Sequence, residues 1–166
     1  MVGTQVSGKK IGIVGMGRVG QVMAKRARGF DMEVHYNNRT RLPANLEARA
    51  IYHEDVDSLL KESDFLSLHC PATPETNGFL SAEKIELLPD GAIVVNTARG
   101  ALIDENALIA ALRSGKIAAA GLDVFAHEPG GNPEFATLDN IFMLPHNGSA
   151  TFEARDAMGF RALDNL

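Results

Sequence analysis

The hexapeptide Gly15–Gly20, GMGRVG, lies between an apolar, β-branched run from Lys10 to Val14 and a helical pattern from Val19 to Arg28. Strand, tight turn and helix in that order restrict the fold more than any other stretch of the chain. Gly15 permits the turn, Gly17 lets an anionic group approach the backbone, and Gly20 lets the helix pack closely on the strand. The helix then begins with free amides and the positive end of its dipole directed at the same place, as a pyrophosphate requires. By itself the motif is a weak signal in a chain with 16 glycines. Its flanks, and the residues that follow, give it weight.

Downstream, strand-like runs alternate with helical ones. Met32–Tyr36, Phe65–Leu68, Ala92–Asn96, Ala118–Phe125 and Ile141–Leu144 read as strands. Short helices are predicted over 43–48 and 55–61, one from the Ser81 cap to Leu88, one from the Asp104 cap to about Arg113 ended by Gly115, and a last one over about 150–163, capped by Ser149 or Thr151. The strands lack polar alternation, so both faces are covered. The predicted fold is α/β: a doubly wound, mainly parallel sheet with helices on both faces, the Rossmann arrangement, formed by residues 1–166 as a single dinucleotide-binding domain. Repeats, linkers and low-complexity tracts are absent from the sequence. In such sheets ligands bind at the carboxyl ends of the strands, where Gly15, Asn38, Cys70, Thr97, Asp123 and His146 all fall.

Composition narrows the partners. A net charge of -5 offers no basic surface for nucleic acid, and no apolar stretch approaches the ~20 residues of a membrane span. A cytoplasmic protein is expected. The single cysteine, Cys70, reads as a small buried residue, and no histidine and acid cluster has metal-ligand spacing.

An NAD-binding chain usually places an acidic residue about 20 positions after the glycines, on the ribose 2′-hydroxyl. Here Asn37 and Asn38 hold that place, followed by Arg39 and Thr40. Asn38, Arg39 and Thr40 can donate to a 2′-phosphate, which a carboxylate would repel. NADP(H) preference is expected, with NAD(H) still accepted; a solvated loop whose arginine touches nothing is the competing reading.

Arg99, Glu128 and His146 supply what reduction of a 2-oxo acid needs. A cation must hold the carboxylate and polarise the ketone, and Arg99, with Gly100 leaving room beside it, suits that task. An acid must protonate the forming alkoxide, and His146 suits that one, with Glu128 as the carboxylate that keeps it charged. Asp123 either accepts from a nicotinamide carboxamide or serves as a strand-end aspartate. His127 competes as a proton carrier, whereas His35, His53 and His69 read as structural.

The segments GMGRVG, LHCPATPET, NTARGALIDENAL, GLDVFAHEP and LPHNGSAT, in this order over nearly the whole chain, resemble the cofactor-binding domain of the D-isomer-specific 2-hydroxyacid dehydrogenases. The resemblance implies that Arg99 binds and polarises substrate, that His146 is the acid/base residue and that Glu128 orients and charges it. It also implies cofactor contacts from Arg18, Val19, Cys70, Pro71, Thr97, Ala98, Asp123 and Gly148. NNRTRLP is most similar to NADP-preferring glyoxylate and hydroxypyruvate reductases, although Asn147 stands where the family usually has an aliphatic residue. Family members are longer, and their substrate domain has no counterpart here, so this chain is expected to be a domain excised from a longer protein, to bind cofactor and to turn over weakly or not at all alone. Pairing of two copies through this domain is likewise implied. Corepressors that share the fold and these residues are the alternative of another class, a dinucleotide sensor. Formate dehydrogenase carries a glutamine beside the histidine, and Glu128 argues against it.

Overall fold

The computed structural model describes residues 3–166. Seven strands form one sheet: β1 Lys10–Val14, β2 Glu33–Asn37, β3 Ile51–Tyr52, β4 Phe65–Leu68, β5 Ala92–Asn96, β6 Ile117–Leu122 and β7 Ile141–Met143. Their order is β3-β2-β1-β4-β5-β6-β7, and every neighbouring pair is parallel. The order reverses between β1 and β4, which makes the carboxyl ends of those two strands the natural ligand crevice.

Alternation along β1 distributes its side chains to two layers. Ile11 and Ile13 join Ala24 and Ala27 of α1 Arg18–Gly29 and Val34 and Tyr36 of β2 in one buried cluster. Val14 faces the other layer, with Leu59 and Leu60 of α3 Val56–Lys61, Ile85 of α4 Ala82–Leu87, and Leu108 and Leu112 of α5 Glu105–Ser114. Gly12 also turns that way. A Cβ there would lie 1.9 Å from Ser63 Oγ, so the turn after α3 meets β1 only because the side chain is missing.

Side-chain caps begin four of the helices. Asp55, Ser81, Asp104 and Thr151 each accept a backbone amide in the first turn, a device worth about 1 kcal/mol per helix. Left-handed Gly115, at φ 82°, ends α5. The short α2, Ala44–Glu47, starts at Pro43 and stops at Ala48, itself left-handed.

Several expectations shift. β2 runs one residue later than predicted, because its register with β1 pairs Lys10 with Glu33 and Val14 with Asn37. β6 starts at Ile117 and ends at Leu122, where Asp123 leaves the sheet after donating its amide to the Asn96 carbonyl. Two-residue β3 and the 3-10 segments Gly100–Leu102 and Pro133–Thr137 were not anticipated. The last helix, α6 Phe152–Leu163, uses Thr151 rather than Ser149 as its cap, and none of its residues is buried.

Candidate functional site

Two grooves open at the carboxyl edge of the sheet. The first, of about 440 Å³, lies over the β1–β4 junction. Gly15, Gly17, Asn38, Arg39, Cys70 and Pro71 line it, all named from the sequence. Gly15 has φ 96°, and a Cβ on it would lie 2.5 Å from the Cys70 amide nitrogen, so glycine alone allows the two loops to touch. Gly20 is also a packing position, 2.3 Å from the Gly15 carbonyl oxygen by the same construction. Gly17 differs: nothing lies within 4 Å of its Cβ position.

Gly17 caps α1 without any side-chain hydrogen bond, and exposed Arg18 and Val19 form the first turn. The amides at this end therefore face open space under a bare glycine backbone, a cradle that fits a pyrophosphate.

On the β2 side, Asn38 is committed in part to the scaffold. Its Oδ1 accepts the Met16 amide at 2.8 Å, tying the β2 loop to the glycine turn. Arg41 is also committed: its Nε lies 2.8 Å from Glu47 Oε1, to which Tyr36 donates at 2.6 Å. These contacts hold the Glu47 carboxyl below the usual range, Arg41 first and Tyr36 second. Arg39 is exposed and has no side-chain hydrogen bond or ion pair among the described residues, and Thr40 beside it is exposed as well.

Sequence reasoning missed the rest of the lining, notably His69, Thr73, Glu75, Thr76 and Phe79. They belong to the loop after β4, and only the strand order brings that loop over the glycine turn. Cys70 corrects the expectation of a buried residue. It is half-buried in the groove wall, and burial pushes its thiol up.

The second groove, of about 580 Å³, is lined by Phe125, Glu128, Pro129, Gly130, Met143, Leu144, Pro145 and His146. Glu128 Oε2 lies 2.5 Å from His146 Nδ1, and Glu128 Oε1 accepts the Phe125 amide at 2.8 Å. Both contacts, His146 first, hold the Glu128 carboxyl below its ordinary range. His146 itself sits at φ 55°, a left-handed conformation that the following loop must sustain. Asp123 sustains it. Buried at the end of β6, it accepts the Asn147 and Gly148 amides at 2.8 Å each, one on each oxygen. Of the two roles open to Asp123, the strand-end one is visible here.

Thr97, Ala98 and Arg99 form the turn after β5 and line neither groove. Buried Asn96 organises this turn, accepting the Ala98 amide at 3.0 Å and donating to the Arg99 carbonyl at 2.9 Å. Arg99 is exposed, with Nη1 donating to the Ala98 carbonyl at 2.6 Å. Gly100 corrects a second expectation. A Cβ there would lie 1.9 Å from the Phe125 carbonyl carbon and 2.4 Å from the Ala126 nitrogen, so this glycine admits the neighbouring backbone, not a ligand. Glu105 strengthens the same junction by accepting the Ala126 amide at 2.8 Å. The Arg99 turn is thereby fastened to the segment that carries Glu128.

The remaining histidines have separate settings. His35 and His53 share a hydrogen bond of 2.8 Å, with Glu33 2.6 Å from the first ring and Ser58 2.9 Å from the second. His69 is bonded to Ser67 at 2.8 Å. His127 is exposed.

The family profile described as D-isomer specific 2-hydroxyacid dehydrogenase, NAD binding domain, matches residues 1–148. The chain is similar to a glyoxylate reductase of Thermococcus litoralis, 49% identical over 165 residues that cover 99% of this chain and 50% of that protein. It is similar to a glycerate dehydrogenase of Hyphomicrobium methylovorum, 48% identical over 166 residues, 99% of this chain and 52% of the relative. Among solved structures, a glyoxylate reductase from Paecilomyes thermophila superimposes with a TM-score of 0.96 at 42% identity, covering 99% of this chain and 50% of that one. The chain thus spans about half the length of the curated relatives it matches.

Proposed function

Because the chain belongs to the D-isomer specific 2-hydroxyacid dehydrogenases, matching their NAD-binding domain, we propose that the whole protein reduces a small 2-oxo acid such as glyoxylate or hydroxypyruvate with NADP(H) in preference to NAD(H). The observation that carries this reading is the pair Glu128–His146 at the end of β6 and β7, on the same sheet edge as a groove whose free cation is Arg39.

In this reading the open amides at Gly17, Arg18 and Val19 hold the pyrophosphate, and Asn38, Arg39 and Thr40 bind a 2′-phosphate. Cys70 and Pro71 contribute the groove wall, and Thr97, Ala98 and Gly148, which line neither groove, take the cofactor contacts that the family resemblance implies. The bound nicotinamide supplies the hydride in reduction and takes it in the reverse direction. Arg99 holds the substrate carboxylate and draws charge toward the ketone oxygen. His146 Nδ1–H donates to Glu128, which leaves Nε2 as the atom that delivers the proton to the forming alkoxide. Asp123 keeps His146 in place through the Asn147 and Gly148 amides, and its remaining lone pairs suit a carboxamide donor.

No helix among the described residues is long and apolar enough to cross a membrane. A cytoplasmic homodimer is part of the same reading, carried over from the resemblance to the family.

Steady-state oxidation of NADPH by the whole protein, with and without glyoxylate or hydroxypyruvate, tests the function. Substrate-dependent oxidation that is lost in Arg99→Gln supports it. Tight nucleotide binding without any substrate-dependent oxidation overturns it in favour of a dinucleotide sensor.

A further inference from the structure

The nucleotide groove contains one carboxylate, and it belongs to the loop after β4. Glu75 lines the groove together with Arg39, Asn38, Thr73 and Thr76. Its loop is braced by Thr76, whose Oγ1 accepts the Thr73 amide at 2.8 Å and donates to the Pro71 carbonyl at 2.7 Å. The brace keeps Glu75 on the groove wall while its carboxylate stays exposed. Two of these co-lining residues, Asn38 and Arg39, are among those that the proposed function assigns to the 2′-phosphate.

We propose that Glu75 is a specificity-determining residue for the nucleotide: its carboxylate occupies the electrostatic field of Arg39 and opposes a 2′-phosphate, setting how strongly the groove discriminates NADP(H) from NAD(H). The inference rests on the assignment of Arg39 to the 2′-phosphate. With a 2′-hydroxyl in the groove, Glu75 and Arg39 compensate each other across the bound ribose. With a phosphate there, Arg39 turns to the stronger anion, and the negative charges of phosphate and Glu75 face each other at partly screened range. The Glu75 carboxyl is held below its usual range, chiefly by the Thr73 hydroxyl and its own amide, with Arg39 adding to them, so it is ionised at neutral pH.

The test uses calorimetric titration of the wild-type chain, Glu75→Gln, Arg39→Ala and the double variant with two probes, adenosine 2′,5′-bisphosphate and AMP. They differ only by the 2′-phosphate. Glu75→Gln keeps the size of the side chain and removes only its charge. It is expected to tighten the bisphosphate by roughly three- to tenfold and to leave AMP within about twofold, the gain shrinking in about 1 M potassium chloride. An unchanged ratio of the two affinities, or a gain that salt does not diminish, overturns the role of Glu75. The parent assignment is judged separately. If Arg39→Ala leaves the wild-type ratio as it is, the 2′-phosphate is bound elsewhere, whatever Glu75→Gln does. A gain retained in full in the double variant would mean that Glu75 acts on the phosphate directly, and a gain that vanishes there would mean that it acts through Arg39; either supports its place as a determinant.

Discussion

Glu128 Oε2 lies 2.5 Å from His146 Nδ1, while the other oxygen of the same carboxylate is fixed by the Phe125 amide. The carboxylate is thus an oriented charge, held from one side by the backbone and presented to the imidazole on the other. Glu128→Gln preserves the shape and withdraws the carboxylate that orients the imidazole. In the whole protein, kcat for the proposed 2-oxo acid reduction is expected to fall roughly a hundred- to thousandfold at neutral pH. Steady-state rates of the variant check this; an undiminished kcat would remove Glu128 from the proton-transfer step.

In the groove proposed for the nucleotide, Arg39 is a cation with no side-chain hydrogen bond or ion pair among the described residues, Arg41 being held by Glu47. Arg39→Ala is expected to weaken NADPH roughly ten- to a hundredfold, the worth of a charge-assisted hydrogen bond, and to leave NADH within about threefold. Calorimetry suits the measurement because the chain has no tryptophan. Equal losses for both nucleotides would count against the 2′-phosphate assignment.

Gly17 and Gly100 separate binding from folding. Gly17→Ala meets no atom within 4 Å, so thermal stability should be nearly unchanged while NADPH binding weakens, because the added methyl stands where the pyrophosphate approaches. Gly100→Ala drives a methyl into the Phe125 and Ala126 backbone and is expected to cost about 3 kcal/mol, the upper end for overpacking. Denaturant titration of both variants, beside nucleotide binding, distinguishes the two effects.

Acidification should destabilise the fold before carboxylates titrate. Burial lowers the affinity of His69 for a proton, and burial followed by the charge of His35 does the same for His53. Both therefore favour the neutral ring when folded, and the unfolded chain binds more protons below its own value of about 6.5. Their contribution is complete above that pH and is lost as pH falls through the folded values. Melting temperature should drop by on the order of a few degrees between about pH 7.5 and 5, and less in His69→Gln. An identical slope in the variant would place the dependence elsewhere.

Much of this was legible in the residues. The strand, glycine turn and helix of 10–28 are local in sequence, so their pattern carries them. Residues such as Asp104 and Gly115 mark their helix ends because capping chemistry acts within a turn. What was not legible depends on distant segments meeting. Gly100 looked like room for a ligand until Phe125 was found against it. Thr73, Glu75 and Thr76 stand within LHCPATPET, yet nothing local in the sequence places them over Gly15; the order β1-β4 does. β3 has only two residues, too few for any periodicity to show.

The two grooves have no lining residue in common. Substitutions at Arg39 or Glu75 leave Glu128 and His146 with all their partners, and effects at sites without shared neighbours add. Under the proposed function, nucleotide choice and proton transfer are therefore separately heritable: substitutions in the loops after β2 and β4 would change the redox pool drawn on without rebuilding the proposed acid.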